Sequence, residues 1–251
     1  MKENAQRLLS WLYPPAKTTR WLPVLELRLV APQLTEGGLR STLGYLQTQQ
    51  RLVLERVDGQ LSASITTHGM KALEEQLPAF SPKQRQWQGD WQAVVFLAAP
   101  AGDKHFRFLR RVLVQTSAIP LTRGVYLYPG ELPAKVIFEL QNSYIGSVVV
   151  VEFNQWTFGD QREVIGSALA LGDLQDTYSS ISKEIDSLLA LETGLISFTD
   201  QQKMQFSSIF DRLFSSLQGD FGIQQAFFPQ VESGVDLLFK LQSLSFMGQL
   251  E

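Results

Sequence analysis

The sequence has no cysteine, only two histidines and no long apolar run. Without cysteine the chain can form neither disulfides nor thiolate-bound zinc or iron–sulfur sites, and His68 and His105 alone cannot supply a site that needs several imidazoles. A membrane-spanning helix needs roughly 18 or more apolar residues in a row, and the N-terminal residues also lack the apolar core of a signal peptide. We therefore expect a cytoplasmic protein with no metal site and no membrane contact.

Motifs of the common enzyme classes are missing as well. The sequence contains no Gly-x-x-x-x-Gly-Lys-Ser/Thr loop, no Gly-x-Gly-x-x-Gly, no Gly-x-Ser-x-Gly and no His-Glu-x-x-His. Each of these patterns holds phosphate-binding, zinc-binding or nucleophilic groups at a fixed spacing. We predict that the protein is not an enzyme and uses no cofactor.

What the chain does contain is ample apolar material and an uneven charge. Apolar residues make up 44% of the 251 residues, enough for two or three packed cores. Residues 1–87 hold 11 Lys and Arg against 7 Asp and Glu, residues 88–130 hold 5 against 2, and residues 131–251 hold 6 against 16. A basic first half favours binding of a polyanion, and the acidic remainder favours a different role.

The first 80 residues have the order of a winged helix-turn-helix. Apolar spacing predicts three helices, at residues 3–13, 21–30 and 35–49. Asp58-Gly59 predicts a tight turn between two strands, at residues 51–56 and 61–66, and a further helix follows at 67–77. A helical packing module that does not bind DNA is the alternative interpretation of the same pattern.

The third predicted helix has one apolar and one polar face. Leu39, Leu43 and Leu46 recur at helical spacing and predict a buried stripe. The opposite face carries the residues that we expect to enter the major groove, namely Arg40, Ser41 and Tyr45. Arg51 and Arg56, in the hairpin, are expected to bind phosphate.

Beyond a predicted linker at residues 78–88 the periodicity changes. Strand and helix patterns alternate through residues 88–158, which predicts a central ferredoxin-like α/β domain, and residues 159–251 are mainly helical. We therefore expect an α+β, multidomain protein with domains at residues 1–80, 88–158 and 159–251.

Four segments resemble the PaaX family of bacterial transcriptional repressors, and together they extend over nearly the whole chain: Thr35–Gly59, Ile65–Glu75, Trp87–Phe96 and Phe227–Leu241. The first two patterns are common to many winged helices. Trp87-x-Gly89-x-Trp91, at the start of a strand, is the discriminating one. The hairpin departs from the arginine-rich wing usual in that family, since Asp58, Gln60, Ser62 and Ser64 occupy it.

The resemblance implies a repressor that binds a double-stranded DNA operator as a homodimer. It also implies a central domain like the Cas2 nuclease fold and release from the operator by an aryl-CoA thioester such as phenylacetyl-CoA. The coenzyme A phosphates would need a cationic site, and Arg107, Arg110 and Arg111 are candidates because guanidinium pairs well with phosphate. The same arginines could instead pair with the acidic C-terminal domain or contact DNA.

Two other functions remain open from the residues alone. One is a nucleic-acid-processing enzyme that uses the central domain, although the first strand there ends in Phe96-Leu97-Ala98 without the metal-binding aspartate of such nucleases. The other is a protein-interaction scaffold, which the absence of DNA binding would favour.

Overall fold

The computed structural model describes residues 1–15, 19–98, 103–191 and 197–245. These residues form an α+β structure with twelve α-helices and two antiparallel sheets. They divide into two compact units, each assembled from separate stretches of sequence. Unit 1 comprises the described residues of Met1–Phe80, Asp176–Asp220 and Val231–Glu251, and unit 2 those of Ser81–Gln175 and Phe221–Gln230.

The N-terminal part of unit 1 is a three-stranded sheet with four helices. Its elements are α1 (Glu3–Leu12), β1 (Leu22–Pro23), α2 (Val24–Val30), α3 (Glu36–Thr48), β2 (Leu52–Val57), β3 (Gln60–Ile65) and α4 (Thr67–Glu74). The strand order is β1-β3-β2, and both pairs are antiparallel. The predicted leucine stripe of α3 is buried. Thr35 begins that helix, because its hydroxyl accepts a hydrogen bond from the Gly38 N–H at 3.1 Å.

The later helices of the chain complete the core of unit 1. They are most of α9 (Leu171–Leu189), α10 (Asp200–Gly219) and α12 (Gly234–Gln242). Trp11 is fully buried and packs edge-on against Phe206 and Phe210, with ring centres 5.4 and 5.7 Å apart. The side-chain amide of Gln242 donates to the Trp11 carbonyl oxygen at 2.9 Å. The core around α1 therefore needs residues from both ends of the chain.

Unit 2 is built on a four-stranded sheet. Its elements are α5 (Pro82–Arg85), β4 (Trp91–Phe96), α6 (Lys104–Gln115), β5 (Ile119–Thr122), β6 (Val125–Pro129), α7 (Ala134–Ser143), β7 (Val148–Phe153), α8 (Gln161–Ala168), the start of α9 and α11 (Gln224–Phe227). The strand order is β5-β6-β4-β7, with every neighbouring pair antiparallel.

The central strand β4 is buried on both faces of this sheet. Val94 and Phe96 pack with Leu109 and Val136 of the helices α6 and α7. Trp91 and Ala93 point to the other face and belong to a cluster with Ile165, Ile223 and Phe227. The edge strand β7 is different, since Val149, Val150 and Val151 are each more than 40% exposed.

The structure departs from the predicted segments in two ways. The helical residues 159–251 are shared between the two units, and residues 1–80 lie in one unit with Asp176–Asp220. The predicted linker also contains structure, because Phe80 is fully buried in unit 1 and residues 82–85 form α5. Amphipathic spacing marks a helix but does not specify which distant surface its apolar face will cover.

Candidate nucleic-acid interface

The polar face of α3 lies at the surface of unit 1. Arg40, Ser41, Gly44, Tyr45 and Thr48 are all exposed, which agrees with the predicted orientation of the helix. The packing of the leucine stripe fixes that orientation, because the helix can bury only one face. The three residues predicted to read DNA are therefore accessible together on one helix.

Arg40 is paired within its own helix. Its Nη2 lies 3.1 Å from the Glu36 Oε1, and both side chains are at least 72% exposed. An ion pair so exposed contributes little to stability, because water screens it and two long side chains must be held still. Arg40 can therefore exchange Glu36 for a phosphate or a base edge at little cost to the fold.

A groove of about 620 Å³ runs beside α3 within unit 1. Its apolar wall includes Leu25, Leu54 and Leu61, and its charged residues are Arg28, Glu36 and Arg40. Ser41 and Tyr45 are not among its lining residues, because one residue step turns a helix by about 100°. The predicted reading residues thus lie on two adjacent strips of α3, and Arg28 is a cation at this surface that sequence reasoning missed.

The hairpin places its two predicted phosphate contacts far apart. Arg51 directly precedes β2 and Arg56 lies near its end, so their Cα atoms are separated by roughly 17 Å along the strand. Arg56 is exposed near the turn, where its Nη1 lies 3.5 Å from the Gly59 carbonyl oxygen. Arg51 is half-buried, and its Nε has no hydrogen-bond partner among the described residues. Arg56 is the more accessible of the two for a phosphate.

The turn itself has the predicted geometry. Asp58 and Gly59 have φ values of 51° and 80°. Positive φ at both central residues is the requirement of a type I′ turn, which matches the twist of the flanking strands. The turn therefore fixes the register of the hairpin, in which Arg56 lies opposite Leu61.

Gly69 lies after the hairpin, at a point where α4 packs closely against the residue that precedes β2. At Gly69, in α4, an added Cβ would lie 2.0 Å from the Arg51 carbonyl oxygen. Only hydrogen fits there, so Gly69 allows α4 to approach the start of β2. The Thr66 hydroxyl donates to the Gln50 carbonyl oxygen at 2.6 Å and accepts from the Gly69 N–H at 3.0 Å.

The three arginines proposed from the sequence for ligand phosphates lie on α6, in unit 2. Arg107, Arg110 and Arg111 are exposed. Burial raises the pKa of the Tyr126 hydroxyl, and the charge and hydrogen bond of Arg110 oppose that rise. Arg110 is thus partly engaged by its own unit. Arg107 and Arg111 form no ion pair with a described residue.

Comparison by sequence gives no match, either with a protein-family model or with a curated protein. Comparison of structures finds a likeness to the uncharacterized protein Rv0674 from Mycobacterium tuberculosis, with a TM-score of 0.51 and 16% sequence identity. The likeness covers 95% of this chain and 92% of that one. At this identity it shows a related fold and no function.

No group of three or more histidine or acidic side chains suited to a metal ion occurs within the described ranges. Of the helices in these ranges, none has both the length and the apolar character that crossing a bilayer requires.

Proposed function

We propose that this protein is a DNA-binding transcriptional repressor whose DNA-binding module is a winged helix-turn-helix within residues 1–80. The observation that carries the proposal is the element order α1-β1-α2-α3-β2-β3 with the sheet order β1-β3-β2. In that arrangement α2 and α3 correspond to the helix-turn-helix, and the β2–β3 hairpin corresponds to the wing.

The residues of α3 suit the reading of a major groove. Arg40 can donate two hydrogen bonds to guanine, while Ser41 and Tyr45 can contact base edges or phosphates. Gly44 leaves the helix surface open between them, since an added Cβ would meet no atom within 4 Å. Arg56 on the wing and Arg51 behind it would contact phosphates and set the orientation of the helix.

The topology of unit 2 supports the rest of the resemblance to PaaX repressors. Its order β4-α6-β5-β6-α7-β7 and sheet order β5-β6-β4-β7 are those of a ferredoxin-like sandwich, the class to which Cas2-like domains belong. In the same proposal an aryl-CoA such as phenylacetyl-CoA releases the operator, and Arg107, Arg110 and Arg111 are candidates for its phosphates. The site of action would be the cytoplasm.

We place the contact of the proposed homodimer at β7. Among the described strands β7 pairs only with β4, and its valines are exposed at the edge of the sheet. Two copies of one edge strand related by a two-fold axis pair antiparallel and close the assembly at two subunits. A dimer would also present two α3 helices to a two-fold symmetric operator.

Selection from random duplex DNA tests the proposed function. The full chain is incubated with a random library, bound fragments are sequenced, and the enriched site is measured by mobility shift at two salt concentrations. We expect one enriched sequence with two-fold symmetry and an affinity that falls with salt. Cleavage of the DNA in the presence of Mg²⁺ would favour the nucleic-acid-processing enzyme, and no binding at either salt concentration would favour the scaffold.

A further inference from the structure

A second pocket lies wholly within unit 2, on the side of the sheet away from α6 and α7. It has a volume of about 470 Å³ and is lined by parts of the chain far apart in sequence, among them α5, the start of α8 and α11. Pockets of roughly 300–1,000 Å³ are the size that holds a small organic ligand. None of the arginines on α6 lines it.

The charge of this pocket is positive. Two of its lining residues are Arg85 and Arg162, and none of the described residues that line it is acidic. Neither guanidinium forms an ion pair with a described residue. Two arginines 77 positions apart in sequence thus face one cavity without a counter-charge in its wall.

Each arginine is held in a position where an anion would stabilise it. Arg85 is half-buried, so part of its guanidinium is withdrawn from water. Its Nε is inaccessible and has no partner among the described residues, and an anion in the pocket would pair with its terminal Nη groups. Arg162 occupies the first turn of α8, where the positive end of the helix makes a cation unfavourable. The Asp160 carboxylate caps that helix by accepting from the Arg162 backbone N–H at 2.7 Å, and it does not line the pocket.

An aromatic wall stands beside the two cations. Trp87 and Phe227 both line the pocket, and their rings are stacked with centres 5.9 Å apart and an angle of 16° between planes. The Trp87 indole N–H donates to the Asp90 carbonyl oxygen at 2.6 Å, which fixes the ring. Gln88, Gln161 and Gln225 add amide groups to the lining. The wall is therefore flat, apolar and bordered by hydrogen-bonding groups.

We propose that this pocket binds a small organic anion in which a planar ring carries a carboxylate or a phosphate. Arg85 and Arg162 would hold the anionic group, since a guanidinium can donate two parallel hydrogen bonds to either. Trp87 and Phe227 would contact the ring. DNA is a weaker candidate here, because a concave cavity with two cations fits a compact anion better than a continuous backbone. In a repressor this ligand would be a second effector, at a site separate from the α6 arginines proposed for coenzyme A phosphates, so the inference extends the proposed function without depending on DNA binding.

Calorimetry on the full chain without DNA tests the proposal. The probes are benzoate and adenosine 5′-monophosphate, which distinguish a carboxylate from a phosphate, together with benzyl alcohol and inorganic phosphate, which supply the ring or the anion alone. We expect saturable binding of at least one ring-bearing anion and weaker binding of both partial probes. Arg85→Gln and Arg162→Gln should each weaken that binding about ten-fold or more.

Lys83→Gln is the matched control, because it removes one positive charge from α5 and Lys83 does not line the pocket. Its affinity for the probe should stay within about two-fold of the wild type, and thermal melting checks that all variants fold. No saturable binding of either ring-bearing anion at millimolar concentration overturns the proposal, as does an equal loss in the control. Loss of operator binding in the two arginine variants, with unchanged binding of the probe, would assign the arginines to DNA instead. Because DNA is absent from the first experiment, a failure there leaves the proposed repressor function standing.

Discussion

The guanidinium of Arg7, on α1, pairs with the carboxylate of Asp211 on α10, 204 positions later in the sequence. The Nε of the same arginine donates to the Val30 carbonyl oxygen at 3.0 Å. The Cζ atom of the Arg7 guanidinium also lies 5.2 Å from the ring centres of Phe210 and Phe214. One buried side chain therefore connects the first two helices of the chain to a helix formed near its other end.

Removal of this charge should destabilise unit 1. Arg7→Met keeps much of the side-chain volume but loses the hydrogen bond, the ion pair and the cation–π contacts. We expect the free energy of unfolding to fall by about 2–4 kcal/mol, measured by urea denaturation. Lys203→Met removes an exposed helical pair with Asp200 and should cost less than about 0.5 kcal/mol. Similar losses in the two variants would contradict the role given to Arg7.

A fragment of residues 1–80 should not fold cooperatively. The pattern of these residues predicts a complete DNA-binding domain, but in unit 1 the buried Trp11 packs on Phe206 and Phe210. Without α10 that indole is exposed, so the fragment loses part of its core. We expect the fragment to give weak near-ultraviolet circular dichroism and poorly dispersed amide resonances. The full chain should give strong near-ultraviolet circular dichroism and well-dispersed amide resonances. A sharp thermal transition of the fragment would refute this expectation.

Two helical glycines should respond oppositely to alanine. Gly69→Ala places a methyl group 2.0 Å from the Arg51 carbonyl oxygen and should cost on the order of 1–3 kcal/mol. Gly44→Ala meets no atom within 4 Å and should stabilise α3 by about 0.5–1 kcal/mol. Melting temperatures of the two variants, compared with the wild type, test the difference. Equal effects would mean that α4 does not approach β2 as closely as described.

Arg40 and Glu36 should affect operator binding in opposite directions. Arg40→Ala should weaken specific binding by about 1–3 kcal/mol if it reads a base, with an unchanged melting temperature because its pair is exposed. Glu36→Gln should strengthen binding, since it frees Arg40 and removes a negative charge beside DNA. Lys71→Ala, an exposed cation on α4, is the control. Unchanged affinity in both α3 variants would remove this helix from the interface.

A charge on the edge strand should separate the dimer. Val150→Lys places an ammonium in the middle of β7, so two paired copies would bring like charges together and lose apolar contact. We expect light scattering to show a monomer at concentrations where the wild type is a dimer. Val114→Lys makes the same change at an exposed position on α6, and light scattering should still show a dimer. A dimer in both variants places the contact elsewhere.

Local chemistry allowed much of the fold to be predicted. The leucine stripe of α3, the start of that helix at Thr35 and the turn at Asp58-Gly59 lie where the sequence predicts them. Each depends on residues within one helix or one hairpin, so a short window of sequence contains the whole cause. The strand β4 was also predictable, because a strand buried on both faces is apolar at nearly every position.

What could not be predicted depends on distant partners. The two-residue strand β1 is too short to show a period, and β5 contains Pro120, which weakens a strand pattern. Burial of Arg7 has no local signal, since its partner Asp211 lies on another part of the chain. Arg85 and Arg162 likewise come together only through the packing of unit 2.

The interleaved sequence of the two units has a consequence for synthesis on the ribosome. Chains grow at about 5–20 residues per second, so Phe206 and Phe210 are made about 10–40 s after Trp11. During that interval the strands of unit 2, which end at Phe153, can already pair. The nascent α1 meanwhile exposes the part of Trp11 that Phe206 and Phe210 of α10 will cover. A translational pause after residue 175 would lengthen this exposure, and the N-terminal helices of the unfinished chain would then be bound by chaperones or cut by proteases first.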